Sequence, residues 1–142
     1  MRTSRHNALR FFHPDLSAAD PTTVGLCVSH TGALAMIEGD ASVRQAILLL
    51  LSTSPGERVM RPKYGCNLRS LVFSLNDQTT AGLAIHYVRE AIQRWEPRVD
   101  VLELDAGPQE ANPTSLVIDL QYRVRASGNS DRIRLGLDLT QD

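Results

Sequence analysis

Apolar residues recur at helical spacing in two stretches of the chain and alternate with polar residues in a third. The first stretch, residues 43–51, predicts a buried helix that Asp40 or Ser42 would cap. The second stretch, residues 84–95, predicts a longer helix on which the apolar residues share one face. Between these two helices, residues 67–73 carry the pattern of a short helical segment.

The C-terminal third changes to the two-residue period of strands. Residues 116–125 and 132–139 alternate apolar with polar positions, and Ser-Gly-Asn at 127–129 predicts a turn between them. Residues 99–104 predict a third strand. Helices followed by antiparallel strands indicate the α+β class. We therefore predict a small single domain in which two main helices and a short one pack on an antiparallel sheet of C-terminal strands.

The first 39 residues follow neither pattern. They contain Pro14, Pro21 and apolar runs of only a few residues, which predicts an extended arm with loose strands. The chain has 142 residues, which is the size of one ordinary domain. We accordingly expect an N-terminal arm over residues 1–39 and one folded domain over residues 40–142.

Composition and charge exclude several classes of protein. Fifteen basic and sixteen acidic residues leave a formal net charge of −1, whereas nucleic-acid binders usually carry a positive excess, so no nucleic-acid partner is expected. The longest apolar run, residues 46–51, is far shorter than the ~20 residues of a membrane helix. No signal-peptide run precedes Pro14. We expect a protein that is synthesised in the cytoplasm and has no membrane partner.

Candidate catalytic and metal-binding residues are sparse. Cys27 and Cys66 are far apart and form no metal-binding motif, so neither a metal nor another cofactor is expected. The sequence contains no phosphate-binding glycine loop and no serine-nucleophile motif, and its histidines and carboxylates form no catalytic pattern. We therefore predict that the protein is not an enzyme. A small cell-wall hydrolase, which would use a pair of carboxylates, is the alternative.

The junction Glu96-Pro97-Arg98 is the most distinctive candidate site. An acidic residue is disfavoured at the C-terminal end of a helix, because the helix dipole is negative there. The residues alone leave two interpretations open. In one, Pro97 only ends the helix and Arg98 offsets Glu96 in an exposed ion pair of little energetic value. In the other, a rigid corner presents a guanidinium and a carboxylate to another chain.

A basic loop precedes the short helix. Arg58, Arg61 and Lys63 lie in a stretch that two glycines bound and Pro62 interrupts, which predicts an irregular loop rather than a central strand. Its basic residues form either a solvated face or a partner contact.

The last strand is a candidate sheet edge. Ile133, Leu135 and Leu137 share one of its faces, and charged residues occupy the other. An open edge accepts a strand from a partner chain, but charged side chains also protect the edges of monomers, so both interpretations remain open.

Four stretches in order carry a resemblance to a known family: SVRQAILLLLSTSPGERVMRPKYGC (42–66), NLRSLVFSLND (67–77), VREAIQRWEPR (88–98) and the C-terminal hairpin. The order and spacing of PGER, RP-x-YG and EPR are specific. On them the chain resembles the baseplate wedge family of contractile tails, found in contractile phages, type VI secretion baseplates and extracellular contractile injection particles. Residues 1–39 lie outside the resemblance. Since type VI members have a different lead-in, a phage or an extracellular particle is favoured.

The resemblance implies a structural component of an assembled contractile particle. It implies a domain similar to the handshake domain of the sheath protein, placed beside larger baseplate wedge subunits in a six-fold assembly. Glu96, Pro97 and Arg98 would dock on the wedge core bundle, and the domain would offer the start point for the first sheath ring. Sheath protein and tube or hub proteins are further candidate partners. For the sheet edge and the basic loop, the resemblance favours partner contact. Some relatives carry a lysozyme label, which the carboxylates of this sequence do not support.

Overall fold

The computed structural model describes residues 7–9, 11–12, 25–26, 31 and 36–140. Pro14, Pro21, Cys27 and three of the four histidines lie outside the described residues. The chain divides into two compact units, Met1–Leu49 and Leu50–Asp142. Helices and an antiparallel sheet follow one another along the chain, so the predicted α+β class is confirmed.

The first unit begins with two short antiparallel strand pairs, β1 with β4 and β2 with β3. The loose strands predicted before residue 40 are therefore present. Helix α1 follows, with Val43 and Ile47 buried. The helix begins at Gly39, so the predicted caps were wrong, because Asp40 and Ser42 lie inside its first turn. The elements are β1 (Asn7–Leu9), β2 (Phe11–Phe12), β3 (Gly25–Leu26), β4 (Met36–Glu38) and α1 (Gly39–Ser52).

The second unit contains a 3-10 helix, the long helix α2 and a three-stranded sheet. Asp77 caps α2 by accepting a hydrogen bond from the backbone N–H of Thr80 at 2.9 Å. The helix contacts the 3-10 helix, β5 and β6, and its buried residues recur at the predicted spacing. The elements are the 3-10 helix (Asn67–Leu71), α2 (Gln78–Trp95), β5 (Val99–Pro108), β6 (Ser115–Val124) and β7 (Ser130–Asp138).

The sheet is an antiparallel meander in the order β5-β6-β7. The alternation predicted for the last two strands is confirmed, because the apolar residues of β6 are buried from Leu116 to Val124 in every second position. Strand β5 continues to Pro108, beyond the predicted end at residue 104. Its pairing with β6 shifts register between Val101 and Glu103, which leaves Leu102 as a bulged, half-exposed residue. Strands β5 and β7 therefore form opposite edges of the sheet.

Candidate functional site

The chain turns sharply where α2 ends and β5 begins. Glu96 is the C-cap of α2, and its backbone N–H donates to the carbonyl oxygen of Ile92 at 2.9 Å. Pro97 cannot continue the helix, because it lacks a backbone N–H. Ile92 and Val99, on either side of the turn, are both buried in the core. The turn is consequently held from both elements, and the Glu96 side chain is only 6% exposed.

Glu96 and Arg98 form a two-pronged ion pair across this turn. The guanidinium donates from Nε to Oε1 at 2.5 Å and from Nη2 to Oε2 at 2.8 Å. This hydrogen bonding raises the pKa of Arg98, although burial opposes the shift. The Arg98 side chain is 33% exposed. The pair therefore has a buried carboxylate and a partly exposed guanidinium, unlike the exposed pair that one interpretation of the sequence assumed.

Tyr64 brings the basic loop and the corner together. The guanidinium of Arg58 lies over the Tyr64 ring, 4.3 Å from its centroid. Burial raises the pKa of the Tyr64 hydroxyl, while the charges of Arg58, Arg61 and Arg98 oppose that shift and the charge of Glu96 adds to it. Four residues that the sequence marked as candidates thus act electrostatically on one tyrosine that it did not mark. We call Arg58, Arg61, Tyr64, Glu96 and Arg98 the corner site.

Short turns and one glycine fix the course of the basic loop. The N–H of Tyr64 donates to the carbonyl of Arg61, and the N–H of Cys66 closes the loop on the carbonyl of Thr53 at 2.8 Å. Gly65 has φ +133°, and a Cβ atom there would lie 2.5 Å from the Thr53 oxygen. Only glycine fits this closure. Burial raises the pKa of the Cys66 thiol to about 12, so this cysteine is a core residue.

The tip of the basic loop presents two apolar side chains to solvent. Val59 and Met60 are 96% and 91% exposed and lie between Arg58 and Arg61. Exposed apolar residues inside a rim of cations are typical of protein interfaces. Sequence reasoning missed this pair, although two apolar residues flanked by arginines in a loop were the available signal.

The candidate residues of β7 lie in the core. Ile133 and Leu135 are buried and Leu137 is half-buried, so their side chains hold the strand on the sheet. Among the described residues, no strand pairs with the main chain of β7 on the side away from β6. Phe73, which the sequence did not mark, lies beside the end of β7, where its N–H donates to the carbonyl of Leu139 at 2.7 Å.

Phe73 combines exposure with an unfavourable backbone conformation. Its φ is +70°, a left-handed value that costs a bulky residue on the order of 1–2 kcal/mol. Its side chain is nonetheless 75% exposed. Such strain tends to persist at functional positions. The β7 edge and the corner site lie at opposite edges of the sheet, because the corner leads directly into β5.

The acidic side chains of the sheet are arranged for ion pairing. Arg125 donates to Asp100 at 2.8 Å, and Arg132 donates to both carboxylate oxygens of Asp119. These hydrogen bonds lower the pKa values of Asp100 and Asp119. A carboxyl group held ionised in this way is a poor proton donor at neutral pH.

Among the described residues, no group of three histidine, cysteine or acidic side chains is placed to hold a metal ion. Within the same part, none of the helices combines the length and apolar character that crossing a membrane requires.

The sequence model of a family described as baseplate wedge protein gp25 matches residues 37–129. The chain belongs to this family. It is 27% identical over 86 residues to baseplate wedge protein gp25 of Enterobacteria phage T4, a match that covers 61% of this chain and 64% of the phage protein. The chain thus spans less than two thirds of the length of that curated relative.

Two solved structures share the fold of this chain. A crystal structure of a candidate tail lysozyme from Geobacter sulfurreducens is 38% identical, with a TM-score of 0.67 over 76% of this chain and 99% of that chain. A subunit of the anti-feeding prophage baseplate shares the fold, with 23% identity and a TM-score of 0.67 over 70% of this chain and 80% of that chain. The chain is therefore a member of the baseplate wedge family, and it has the fold of both solved chains.

Proposed function

We propose that this protein is a non-catalytic joint between the baseplate wedge and the sheath. The corner site docks on the larger wedge subunits, at the wedge core bundle. The β7 edge receives the sheath protein and provides the start point for the first sheath ring. Tube or hub proteins are further neighbours in a six-fold particle. The observation that carries this proposal is the ion pair of the buried Glu96 carboxylate with the part-exposed Arg98 guanidinium.

The pair supports docking because it prepares Arg98 for a second partner. A guanidinium has five N–H donors in a planar fork, and Glu96 uses only those of Nε and Nη2. The remaining donors are held in a fixed direction, so less side-chain entropy is lost when they bind. Arg58 and Arg61 add charge to the same site, and the exposed Val59-Met60 pair beside them adds apolar surface.

The β7 edge supports strand addition by the sheath protein. An open edge offers a row of main-chain donors and acceptors to an incoming strand. Ile133, Leu135 and Leu137 contribute by packing β7 onto the sheet, so that its edge keeps a fixed position. The exposed Phe73 at the end of the strand offers an apolar contact next to these main-chain groups.

The alternative, a small cell-wall hydrolase, has less support. The relative named as a candidate tail lysozyme brings it into consideration. Glu103, Asp105 and Asp119 do line a common hollow on the sheet, but its volume is only about 60 Å³. Sites for small ligands usually have about 300–1,000 Å³. Arg132, which also lines this hollow, pairs with Asp119 and lowers its pKa, so the Asp119 carboxyl is a poor acid catalyst.

We further propose that the protein is made in the cytoplasm and then joins the particle, with residues 40–142 as the docking domain. The net charge of −1 and the family membership support partners that are proteins.

Co-purification with the larger wedge subunits tests the corner site. We expect Arg61→Glu, which alters an exposed side chain, and Arg98→Lys, which keeps the charge but loses the fork, each to reduce recovery of the complex at least about tenfold. Arg134→Glu, a charge reversal on β7 far from the corner, is the matched control and retains the complex. Wild-type recovery for both corner variants, at unchanged melting temperature, would refute the docking role.

Hydrogen exchange tests the β7 edge without any mutation. Amides of an unpaired edge exchange quickly and become protected when a strand adds to them. We expect peptides covering residues 133–138 to gain protection when sheath protein binds to assembled baseplates. Unchanged exchange in these peptides, with sheath demonstrably bound, would contradict strand addition.

A further inference from the structure

A groove separate from the β7 edge runs between α2 and the basic loop. It encloses about 380 Å³, within the range of sites for small ligands and single side chains. Tyr87, Arg94 and Trp95 contribute from one face of α2, and Pro62 and Lys63 contribute from the loop. We call this space the loop groove.

The walls of the loop groove are stiff. The Trp95 and Tyr64 rings meet edge to face, with centroids 5.4 Å apart and ring planes at 62°, a favourable aromatic geometry. Two prolines in the loop wall, Pro55 and Pro62, have restricted backbone angles. The closure at Gly65 holds the loop against the segment that follows α1. A ligand would therefore meet a preformed site and lose little affinity to reorganisation.

Two cations flank a pair of aromatic rings beside the groove. Arg58 lies over Tyr64, Tyr64 meets Trp95, and the guanidinium of Arg94 lies over Trp95, 5.2 Å from its centroid. Stacking on aromatic faces keeps each guanidinium edge directed outward, where it can donate to carboxylates. Lys63 adds a third cation in the lining of the groove.

Glu90 lines the groove together with the cations Lys63 and Arg94, so the lining keeps a net positive charge. Glu57, in the loop, lies 3.7 Å from Arg69. Because the whole chain has a formal charge of only −1, the concentration of cations on this one face is a local feature. Its complement is a negatively charged ligand with an apolar group.

We propose that the loop groove binds an extended acidic segment of a partner protein, with one large apolar side chain against Trp95 and carboxylates on the flanking cations. Arg94 and Lys63 supply the charge at the groove itself, and Arg58 extends it toward the corner site. That this partner is a baseplate protein rests on the function proposed above. The binding itself depends only on residues of this chain and can be tested with the isolated protein.

Trp95 is the single tryptophan of the protein, so its fluorescence reports on the groove directly. The probe is the acetylated, amidated peptide EEPFEE, titrated into the full chain at low salt, with QQPFQQ and KKPFKK as peptides of matched shape. We expect a saturable change in Trp95 emission with EEPFEE, at least about tenfold weaker binding of the neutral peptide, and weakening of EEPFEE by added salt.

Variants locate the binding on the groove. Arg94→Gln and Lys63→Gln should each weaken EEPFEE binding about tenfold, whereas Arg89→Gln, the same charge change on another face of α2, should leave it unaltered. Equal affinity for the three peptides, or wild-type binding by Arg94→Gln, would overturn the proposal. Tighter binding of a twelve-nucleotide oligothymidylate than of EEPFEE would also overturn it, in favour of nucleic acid.

These outcomes are separate from those of the docking test. If the peptide does not bind but Arg98→Lys loses wedge assembly, the proposed binding of an acidic segment is refuted and the proposed function is retained. If the peptide binds but the corner variants still assemble normally, the docking role of the corner site is refuted and the proposed binding in the loop groove is retained.

Discussion

Replacing Arg98 by alanine removes the cation from a buried carboxylate. Exposed ion pairs contribute about 0–1 kcal/mol, whereas removing one partner of a buried pair costs about 3–5 kcal/mol. The Glu96 side chain is 6% exposed and that of Arg98 is 33% exposed, so this pair lies between the two cases. We expect Arg98→Ala to reduce the free energy of unfolding by about 2 kcal/mol, mostly because Glu96 is left buried without its partner.

Urea denaturation followed by circular dichroism measures this loss. Arg125→Ala is the matched control, because the Arg125 side chain is 61% exposed and pairs with Asp100 near the same corner. Its expected cost is at most about 0.5 kcal/mol. The double variant Glu96→Gln/Arg98→Ala removes the stranded charge and should recover about half of the loss, which a double-mutant cycle would express as coupling.

Equal midpoints and slopes for Arg98→Ala and Arg125→Ala would contradict the buried ion pair. A double variant less stable than Arg98→Ala alone would contradict it equally, because an uncharged amide in place of the carboxylate should be easier to bury. Either result would mean that the corner is held by packing rather than by the ion pair. The preparation of Arg98 for a partner would then lose its physical basis.

Two further predictions concern the loop and the start of α2. Gly65→Ala should destabilise the protein by more than Gly56→Ala, since both glycines have positive φ but only a Cβ at Gly65 meets Thr53. Thermal melting of the two variants measures this difference, and equal losses of stability would contradict the closure of the loop at Gly65. At Asp77, the hydrogen bond from the Thr80 N–H lowers the folded-state pKa of the carboxyl below its ordinary value of 3.8. The stability that this cap contributes is therefore present above pH 3.8 and is lost as the pH falls through the lower, folded-state pKa. Asp77→Asn, which keeps a capping oxygen, should reduce the loss of stability between about pH 5 and about pH 2, and an unchanged pH profile in urea titrations would exclude this role.

Periodicity predicted the elements whose burial is set locally. The buried face of α2 depends on neighbours three or four residues away, and the alternation of β6 and β7 depends on neighbours two residues away. A single sequence is therefore enough to predict them. The bulge at Leu102 and the extension of β5 to Pro108 depend instead on pairing with β6. The start of α1 at Gly39 could not be predicted locally either, because Asp40 and Ser42 are both acceptable caps of a helix that begins later.

The sequence selected the candidates of the corner site one by one, but it did not indicate that they form one site. Glu96 looked exposed because the sequence placed it at a helix end, and its burial depends on elements that are distant along the chain. Tyr64 was not selected, since its role comes from having Arg58 on one side and Trp95 on another. In β7 the alternation correctly grouped the apolar face, but that face fills the core and leaves the main chain as the available edge.

The two proposed docking surfaces are connected by one continuous hydrogen-bonded sheet. The corner leads into β5, β5 pairs with β6 over its length, and β6 pairs with β7. Adjacent strands are about 4.8 Å apart, so the β7 edge lies about 10 Å from β5 at a distance that the central strand fixes. A partner held at one edge therefore sets the position of the other edge without any conformational change. Sheath and wedge would then be coupled through effective concentration, since each bound neighbour presents the opposite edge to the next at a fixed place.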